Sequence, residues 1–321
     1  MEDYPRNLHY FARLLAGATF LLLIAGALVT SNDAGLSVPD WPLSHGQWMP
    51  PMTGGVFYEH GHRMIAAGVG LLTIAMNLWL WKSERRLWVR GLGLAALAAV
   101  IVQGVLGGMT VLFFLPPPVS VLHASMAPLF FSMVLTLAVV TSRGWVNLTD
   151  SLGGGLRAAA GGAGSELKWA LAGSVAVYGQ WVLGAAVRHS GTVDGTKGAV
   201  LVTSALTVHI IGAVLLTAII VSSSALLIRR MKDPVVVRLA VFKLILLLTQ
   251  LLLGFGAYLV RAGAAERVQP TPAGVWIATS HLAVGGLLLA VSLILTLRLA
   301  RGAVIRSRRV LITPRLAEQA L

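Results

Sequence analysis

The 321-residue sequence has no cysteine and little charge, with charged residues at 12% of the chain. A typical soluble domain carries roughly 25%. Without cysteine, disulfides, iron–sulfur clusters, thiolate haem ligands and a nucleophilic thiol are excluded, and the redox compartment cannot be inferred from thiols. Any metal would have to use histidine, carboxylate or methionine. Hydrophobic residues make up 56% of the chain, which predicts a membrane protein whose length is taken up by its spans, with no separate soluble domain.

Acidic residues are the scarcer charged class, 12 against 25 lysines and arginines, for a net charge of +13. A basic protein of this kind could bind nucleic acid. The basic residues, however, lie in short segments between apolar runs, where they orient a membrane protein and do not build one basic face. The sequence therefore argues against a nucleic-acid partner and for the lipid bilayer.

Apolar runs of bilayer length occur eight times, and each predicts a transmembrane helix. They cover residues 14–29, 64–81, 91–115, 121–140, 169–187, 199–228, 241–260 and 275–297. The first run lacks a cleavage pattern and is expected to be a retained helix.

The segments between the runs alternate in charge. One set holds 20 lysines and arginines and the other holds five. The rich set is expected to face the cytoplasm, which places both termini there and makes the protein a multi-pass protein of the inner (plasma) membrane. The outer segments are then 31–58, 114–120, 188–198 and 261–274.

The two halves of the chain carry the same landmarks in the same order, which indicates an internal repeat. Gly26-Ala-Leu-Val corresponds to Gly184-Ala-Ala-Val, and Gln103-Gly-Val-Leu-Gly corresponds to Gln250-Leu-Leu-Leu-Gly. We predict an all-α membrane protein with eight transmembrane helices in two pseudo-symmetric four-helix bundles. The bundles cover residues 1–150 and 169–321, and a glycine-rich cytoplasmic linker covers 151–168.

Ionisable residues inside spans are costly and point to function. Apart from Lys243, expected to snorkel at a cytoplasmic helix end, they are four histidines, one on each even-numbered span: His62, His123, His209 and His281. Each has a small residue four positions later, on the same helix face, which would leave clearance for a flat macrocycle. Imidazole is a standard haem-iron ligand, and facing helices of a bundle are a standard place for it. We predict two bis-histidine haem sites, one in each half, toward the outer membrane face.

Other interpretations of these histidines are hydrogen-bonded core residues, interfacial anchors or a proton relay. Four histidines at duplicated positions make those interpretations weaker than haem ligation. The remaining histidines, His9, His45, His60 and His189, are interpreted as surface polarity.

One carboxylate breaks the repeat. Glu59 lies three residues before His62, on the same helix face, while the matching residue before His209 is Leu206. Glu59 could act as a general base or stabilise a developing cation, or it could simply favour a helix N-terminus. Arg63, Arg188 and Arg261 lie near outer helix ends and are candidate contacts for haem propionates, or ordinary interfacial anchors. Gln103, Gln180 and Gln250, each four residues before a glycine, are interpreted as polar contacts in helix packing.

The segment Gly35-Leu-Ser-Val-Pro-Asp-Trp-Pro-Leu, followed by Glu59-x-x-His62-Arg63, resembles the haem A synthases, which also place haem ligands where His123, His209 and His281 fall. The resemblance implies oxidation of the C8 methyl group of haem O to the formyl group of haem A, which is supplied to cytochrome c oxidase. It further implies two successive hydroxylations to a gem-diol that loses water.

By the same resemblance, His62, His123 and the catalytic Glu59 belong to the substrate-haem site, and His209 and His281 are the axial ligands of a permanent haem b. The expected partners are haem O, the haem O synthase that makes it, an electron acceptor and further copies of the chain. Many members carry a cysteine pair in the first outer loop. Here the corresponding positions are Val38 and Ser44, so no thiol on that loop can take part.

A dihaem b-type membrane cytochrome that only transfers electrons is the alternative, since bis-histidine haems in a bundle suit it. Glu59 on one side only, and sites at one membrane face, argue against it. A secondary transporter would also explain a repeat, but transporters bind near the midplane through broken helices, and no matching pair of interrupted spans is present.

Overall fold

The computed structural model describes residues 6–146, 163–189, 195–262 and 270–318. Side chains are described for all of these except Ala163, 195–202, 261–262 and 304–318. Nine α-helices and no β-strand occur in these ranges. Eight of the helices are long and apolar enough to cross a membrane. The predicted all-α, multi-pass membrane protein with eight spans is therefore confirmed.

The helices are α1 (Arg6–Ser31), α2 (Gly54–Ser83), α3 (Leu87–Leu112), α4 (Pro117–Val140), the single turn α5 (Arg143–Val146), α6 (Ala163–His189), α7 (Gly195–Arg230), α8 (Pro234–Ala262) and α9 (Pro272–Glu318).

Several helices extend beyond the apolar runs that predicted them, because backbone hydrogen bonding continues past the point where hydrophobicity falls. Helix α2 begins ten residues before its predicted run, at Gly54, so Glu59 and His62 lie inside the helix. Helix α4 begins with proline at its first positions, where a missing backbone N–H costs nothing. The cytoplasmic linker predicted over 151–168 ends earlier than expected, since α6 starts at Ala163; residues 151–162 lie outside the described part.

The spanning helices contact one another in two closed rings. In the first half α1 packs on α2, α2 on α3, α3 on α4 and α4 on α1; in the second half α6, α7, α8 and α9 do the same. The two rings meet where α1 and α4 contact α9 and where α4 contacts α6. Each ring encloses its own apolar core, around Met76 and Leu137 in the first and Ile220 and Leu295 in the second.

A proline inside α4 ties the two halves together. Pro128 has no N–H, so the carbonyl of Ala124, four residues earlier, loses its helical partner. The indole Nε1 of Trp181, on α6, donates to that carbonyl at 3.0 Å, and the hydroxyl of Tyr178 donates to the carbonyl of Ser125 at 3.2 Å. The helix defect in one half is thus repaired by side chains of the other.

Lys243 does not snorkel outward. Its side chain is 2% exposed, and it crosses the second ring from α8 toward α6, where the missing Cβ of Gly173 leaves room for Nζ. The repeat places Ala96 at the matching position of the first half, also fully buried. Among the described residues Lys243 forms no ion pair.

Replacing Lys243 with methionine is expected to raise the thermal unfolding temperature in detergent, because a buried ammonium without a carboxylate costs desolvation free energy, commonly ~1 kcal/mol or more. Lys243→Ala should instead lower it, since the shorter side chain leaves a cavity. Circular dichroism at 222 nm during heating measures both. A Lys243→Met protein that unfolds earlier than the parent would show that the ammonium has a stabilising partner.

Candidate functional site

Each of the four predicted histidines lies against a glycine of the preceding helix. A Cβ built on the glycine would lie 3.2 Å from the imidazole Cε1 for Gly26 and His62, 3.2 Å for Gly107 and His123, 3.3 Å for Gly184 and His209, and 3.0 Å for Gly254 and His281. Those distances are shorter than side-chain contacts normally allow, so only glycine admits the ring without a shift. The glycines in the repeated landmarks are explained by this contact.

The three glutamines contact histidines as well as packing helices. Gln103 Nε2 donates to the carbonyl of His123 at 3.0 Å. Gln180 Nε2 donates to the carbonyl of His209 at 2.7 Å and lies 3.0 Å from its Nδ1. The amide Nε2 of Gln250 lies 3.3 Å from Nε2 of His281.

Sequence reasoning missed these histidine contacts. The available signal was the constant spacing, since each glutamine lies one helical turn before the glycine that faces its histidine. The matching position before Gly26 is Leu22, so His62 is the one histidine of the four without such a glutamine.

Several imidazole nitrogens have no hydrogen-bond partner among the described residues. Nδ1 of His62, His123 and His281 is buried without a hydrogen-bond partner, and no hydrogen bond to Nε2 of His62 or His123 occurs in the described part of the chain. Such atoms are rare in a folded protein and call for a ligand. The two histidines of each half are close enough to interact electrostatically. A flat, iron-bearing ring between paired imidazoles fits this arrangement.

Glu59 is 4% exposed and has both carboxylate oxygens engaged. Its Oε1 accepts from Arg63 at 2.7 Å, and its Oε2 accepts from the backbone N–H of Val38 at 2.9 Å. The carboxylate therefore lies one helical turn from His62 and also fastens the loop that connects α1 and α2.

Arg63 binds backbone carbonyl groups of that loop. Its guanidinium donates to the carbonyls of Asp40 and Leu43, both at 2.8 Å, in addition to Glu59. A haem propionate would have to replace one of these partners, so the predicted propionate contact stays a prediction, and the structure adds the role of loop anchor.

The loop packs on the first ring at the end where α1 ends and α2 begins. Backbone N–H groups of Gly46, and secondarily of His45, donate to Asp40 and hold the pKa of its carboxyl below the ordinary value. Trp41 packs on α3 at Gly108, where a Cβ would lie 2.8 Å from the indole. The interpretation of His60 as surface polarity was wrong: it is 7% exposed, and its Nδ1 shares a hydrogen bond of 2.7 Å with Ser44 Oγ.

The remaining arginine candidates lie apart from the histidines in their described contacts. Arg188 pairs with Asp33 at 2.9 Å and donates to the carbonyl of Thr30, which joins the C-terminal ends of α6 and α1. Both side chains are largely exposed, so the pair contributes little stability. Arg261 is in the last turn of α8, but its side chain lies outside the described residues.

Comparison with known proteins agrees with this arrangement. Residues 52–194 match the family model of the COX15-CtaA cytochrome oxidase assembly protein. The heme A synthase of Symbiobacterium thermophilum is 34% identical over 183 residues, 55% of this chain and 58% of that protein. The heme A synthase of Geobacillus kaustophilus is 28% identical over 138 residues, 42% of this chain and 44% of that protein. The chain is thus similar to haem A synthases over part of its length.

The chain spans about half the length of the curated haem A synthases that it matches. The family match includes Glu59, His62 and His123, and it ends before His209. The second pair of histidines is therefore supported by the internal repeat and by the glycine contacts, and not by that match.

The loop between α1 and α2 contains no thiol. Val38 and Ser44, the positions that the resemblance predicts to correspond to a cysteine pair, are both fully buried. Val38 supplies its N–H to Glu59, and the Ser44 hydroxyl bonds to His60. Buried side-chain contacts hold these positions of the loop.

Replacing Gly107 with valine is expected to displace the His123 ring and to abolish haem binding in the first half, because the added side chain would occupy the space of the imidazole. Gly104→Val is the matched control on the same helix, since a Cβ at Gly104 meets no atom within 4 Å. Haem content per chain after purification, measured by pyridine haemochrome, separates the two. Equal loss in both variants would mean that α3 tolerates no valine, and equal retention would mean that the contact is not required.

Proposed function

We propose that this protein is a membrane oxidoreductase that oxidises the C8 methyl group of haem O to a formyl group, making haem A for cytochrome c oxidase. One observation carries the proposal. Two histidine pairs are built by the same histidine–glycine contact, and among the residues that the structure describes a buried carboxylate, Glu59, accompanies only the first pair. Two similarly built sites that differ by a carboxylate suit a substrate site beside a cofactor site. The names of the relatives support the same reaction.

His62 and His123 are proposed to hold the substrate haem O, and His209 and His281 a resident haem b. The unpartnered Nδ1 atoms of His62, His123 and His281, and the glycine beside each of the four rings, fit residues that would hold a haem iron in each half. Haem b, when bound, supplies one-electron redox chemistry through which electrons removed from the substrate can leave the protein. The residues of the second half bind and orient it.

Glu59 is proposed to stabilise positive charge that develops on the substrate, because it is a carboxylate in a low-dielectric environment one turn from His62. Val38 N–H and Arg63 fix its two oxygens, so the charge is held in place before reaction. An environment prepared in this way loses little free energy to reorganisation.

The proposed setting is the inner (plasma) membrane, with both termini in the cytoplasm and both haem sites toward the outer face. His62 lies in the third turn of α2, and His123 lies in the second turn of α4. His209 lies about four turns into the 36-residue α7, consistent with a helix that projects outward. Haem O synthase, an electron acceptor and further copies of the chain are proposed partners.

Expression in a host that makes haem O but has no haem A synthase tests the activity. Extracted haems, identified by mass, are expected to include haem A or its hydroxylated intermediate. Unmodified haem O and haem b, with both sites filled, would favour the dihaem electron-transfer cytochrome.

Glu59→Gln is expected to lower haem A formation at least about tenfold, the low end of general acid–base or electrostatic effects, while haem stays bound. Glutamine can still accept from Val38 N–H, so the loop is retained. Arg63→Lys is the matched control, because it loosens the loop carbonyls and keeps the Glu59 charge. If Arg63→Lys lost as much product as Glu59→Gln, Glu59 would act as a loop anchor only; unchanged product in Glu59→Gln would remove it from the mechanism.

A further inference from the structure

We propose that the second ring binds a small monovalent anion, of the size of chloride, between the ammonium of Lys243 and the hydroxyl of Ser292. The site lies about three helical turns from the contact of Gly254 with His281. It does not depend on the proposed function, because it concerns a separate layer of buried side chains. The anion supplies the charge partner that Lys243 lacks among the described residues.

Lys243 and Ser292 face each other through the register of their helices. The contact of Gly254 with His281 aligns the antiparallel helices α8 and α9. Lys243 lies eleven residues before Gly254, and Ser292 lies eleven residues after His281. Eleven residues are about three turns of an α-helix, so both residues lie on the faces that make this contact and at one depth.

The corresponding layer of the first ring is apolar. At the repeated positions the first ring has Leu15, Ala96 and Val134, and the second ring has Gly173, Lys243 and Ser292. All six residues are buried. A Cβ built on Gly173 would lie 3.0 Å from Nζ of Lys243, so the ammonium uses the room that a larger side chain would fill. The second ring thus exchanges leucine and valine for smaller residues in the layer where it holds a lysine.

Lys243 and Ser292 are two donors without an acceptor. The Lys243 ammonium makes no ion pair in the described part of the chain, and the Ser292 hydroxyl is fully buried without a partner. Neighbouring hydroxyls behave differently, since those of Ser174 and Thr296 donate to the carbonyl one turn earlier and contact each other at 2.9 Å. Buried polar groups left in this way call for a ligand.

The missing ligand must also carry negative charge. A buried ammonium is costly unless it is paired. The carboxylates whose side chains the structure describes in this ring, Glu166 and Asp233, pair with Arg230 and Arg298. A water molecule would accept hydrogen bonds but leave the charge uncompensated. A monovalent anion accepts from both donors and neutralises the ammonium.

Binding of radioactive chloride to the full chain in detergent, measured by equilibrium dialysis against gluconate, tests the proposal. The parent is expected to retain one chloride per chain, because gluconate is too large for the site. Lys243→Met should lose this chloride, since it removes the charge and keeps the length of the side chain. Ser292→Ala should weaken binding about tenfold, the low end for loss of a hydrogen bond to a charged group.

Ser224→Ala is the matched control. The Ser224 hydroxyl is also fully buried without a partner. The contact of Gly212 with Gln180 aligns Ser224 with Lys168, more than one turn from Gly173 along α6. Ser224→Ala should therefore bind chloride as the parent does.

Thermal unfolding gives a second readout. Exchanging gluconate for chloride at constant ionic strength should raise the unfolding temperature of the parent by about 2 °C or more, since a ligand of the folded state stabilises it. Lys243→Met should not respond. The higher unfolding temperature expected above for Lys243→Met applies without chloride, where the parent ammonium is uncompensated.

The proposal is overturned if the parent and Lys243→Met retain equal chloride, or if chloride raises both unfolding temperatures alike, because the ion would then be adventitious. Chloride binding by Ser292→Ala that equals that of the parent would also overturn it. None of these results depends on whether the protein converts haem O.

Discussion

The contact between an imidazole ring and a bare glycine backbone is the constraint on which the rest of the structure depends. It occurs four times, always between a helix and the next spanning helix along the chain, and it fixes the register of each pair. In a membrane, where helices gain no hydrophobic free energy by packing, close approach at small residues is a main source of affinity between them. Here the same approach leaves an imidazole with an unused nitrogen inside the protein.

The first pocket differs from the second through its surroundings. Glu59 lies one helical turn from His62 and also accepts the hydrogen bonds that fasten the loop between α1 and α2, so its two roles are coupled. Arg63 strengthens this coupling, because its guanidinium donates hydrogen bonds to Glu59 and to two loop carbonyls. The loop between α1 and α2 is thereby held by side chains that lie close to His62 on the same helix.

A short path of covalent bonds and hydrogen bonds links the histidines of the two halves. Trp181 donates to the carbonyl of Ala124, the neighbour of His123, and the residue before Trp181 is Gln180, which contacts His209. The defect at Pro128 makes this junction possible, because an intact helix would have used the Ala124 carbonyl internally. The most specific contacts between the two halves therefore lie near the histidines.

Much of the fold followed from the sequence, since spans of about 20 apolar residues have few alternatives in a bilayer. The four histidines were identifiable because an ionisable residue in a span is costly, and Glu59 because it breaks the repeat. Lys243 and His60 were misplaced, since burial depends on which neighbours arrive from other helices.

The sequence by itself determined the eight helices, the repeat and the residue types that could hold haem, because hydrophobicity and period are local properties. Only the tertiary structure decided what each glycine and glutamine does. Each glycine is explained by the imidazole ring that occupies the space of its missing side chain, and each glutamine by the histidine that it contacts. Both contacts join residues on different helices.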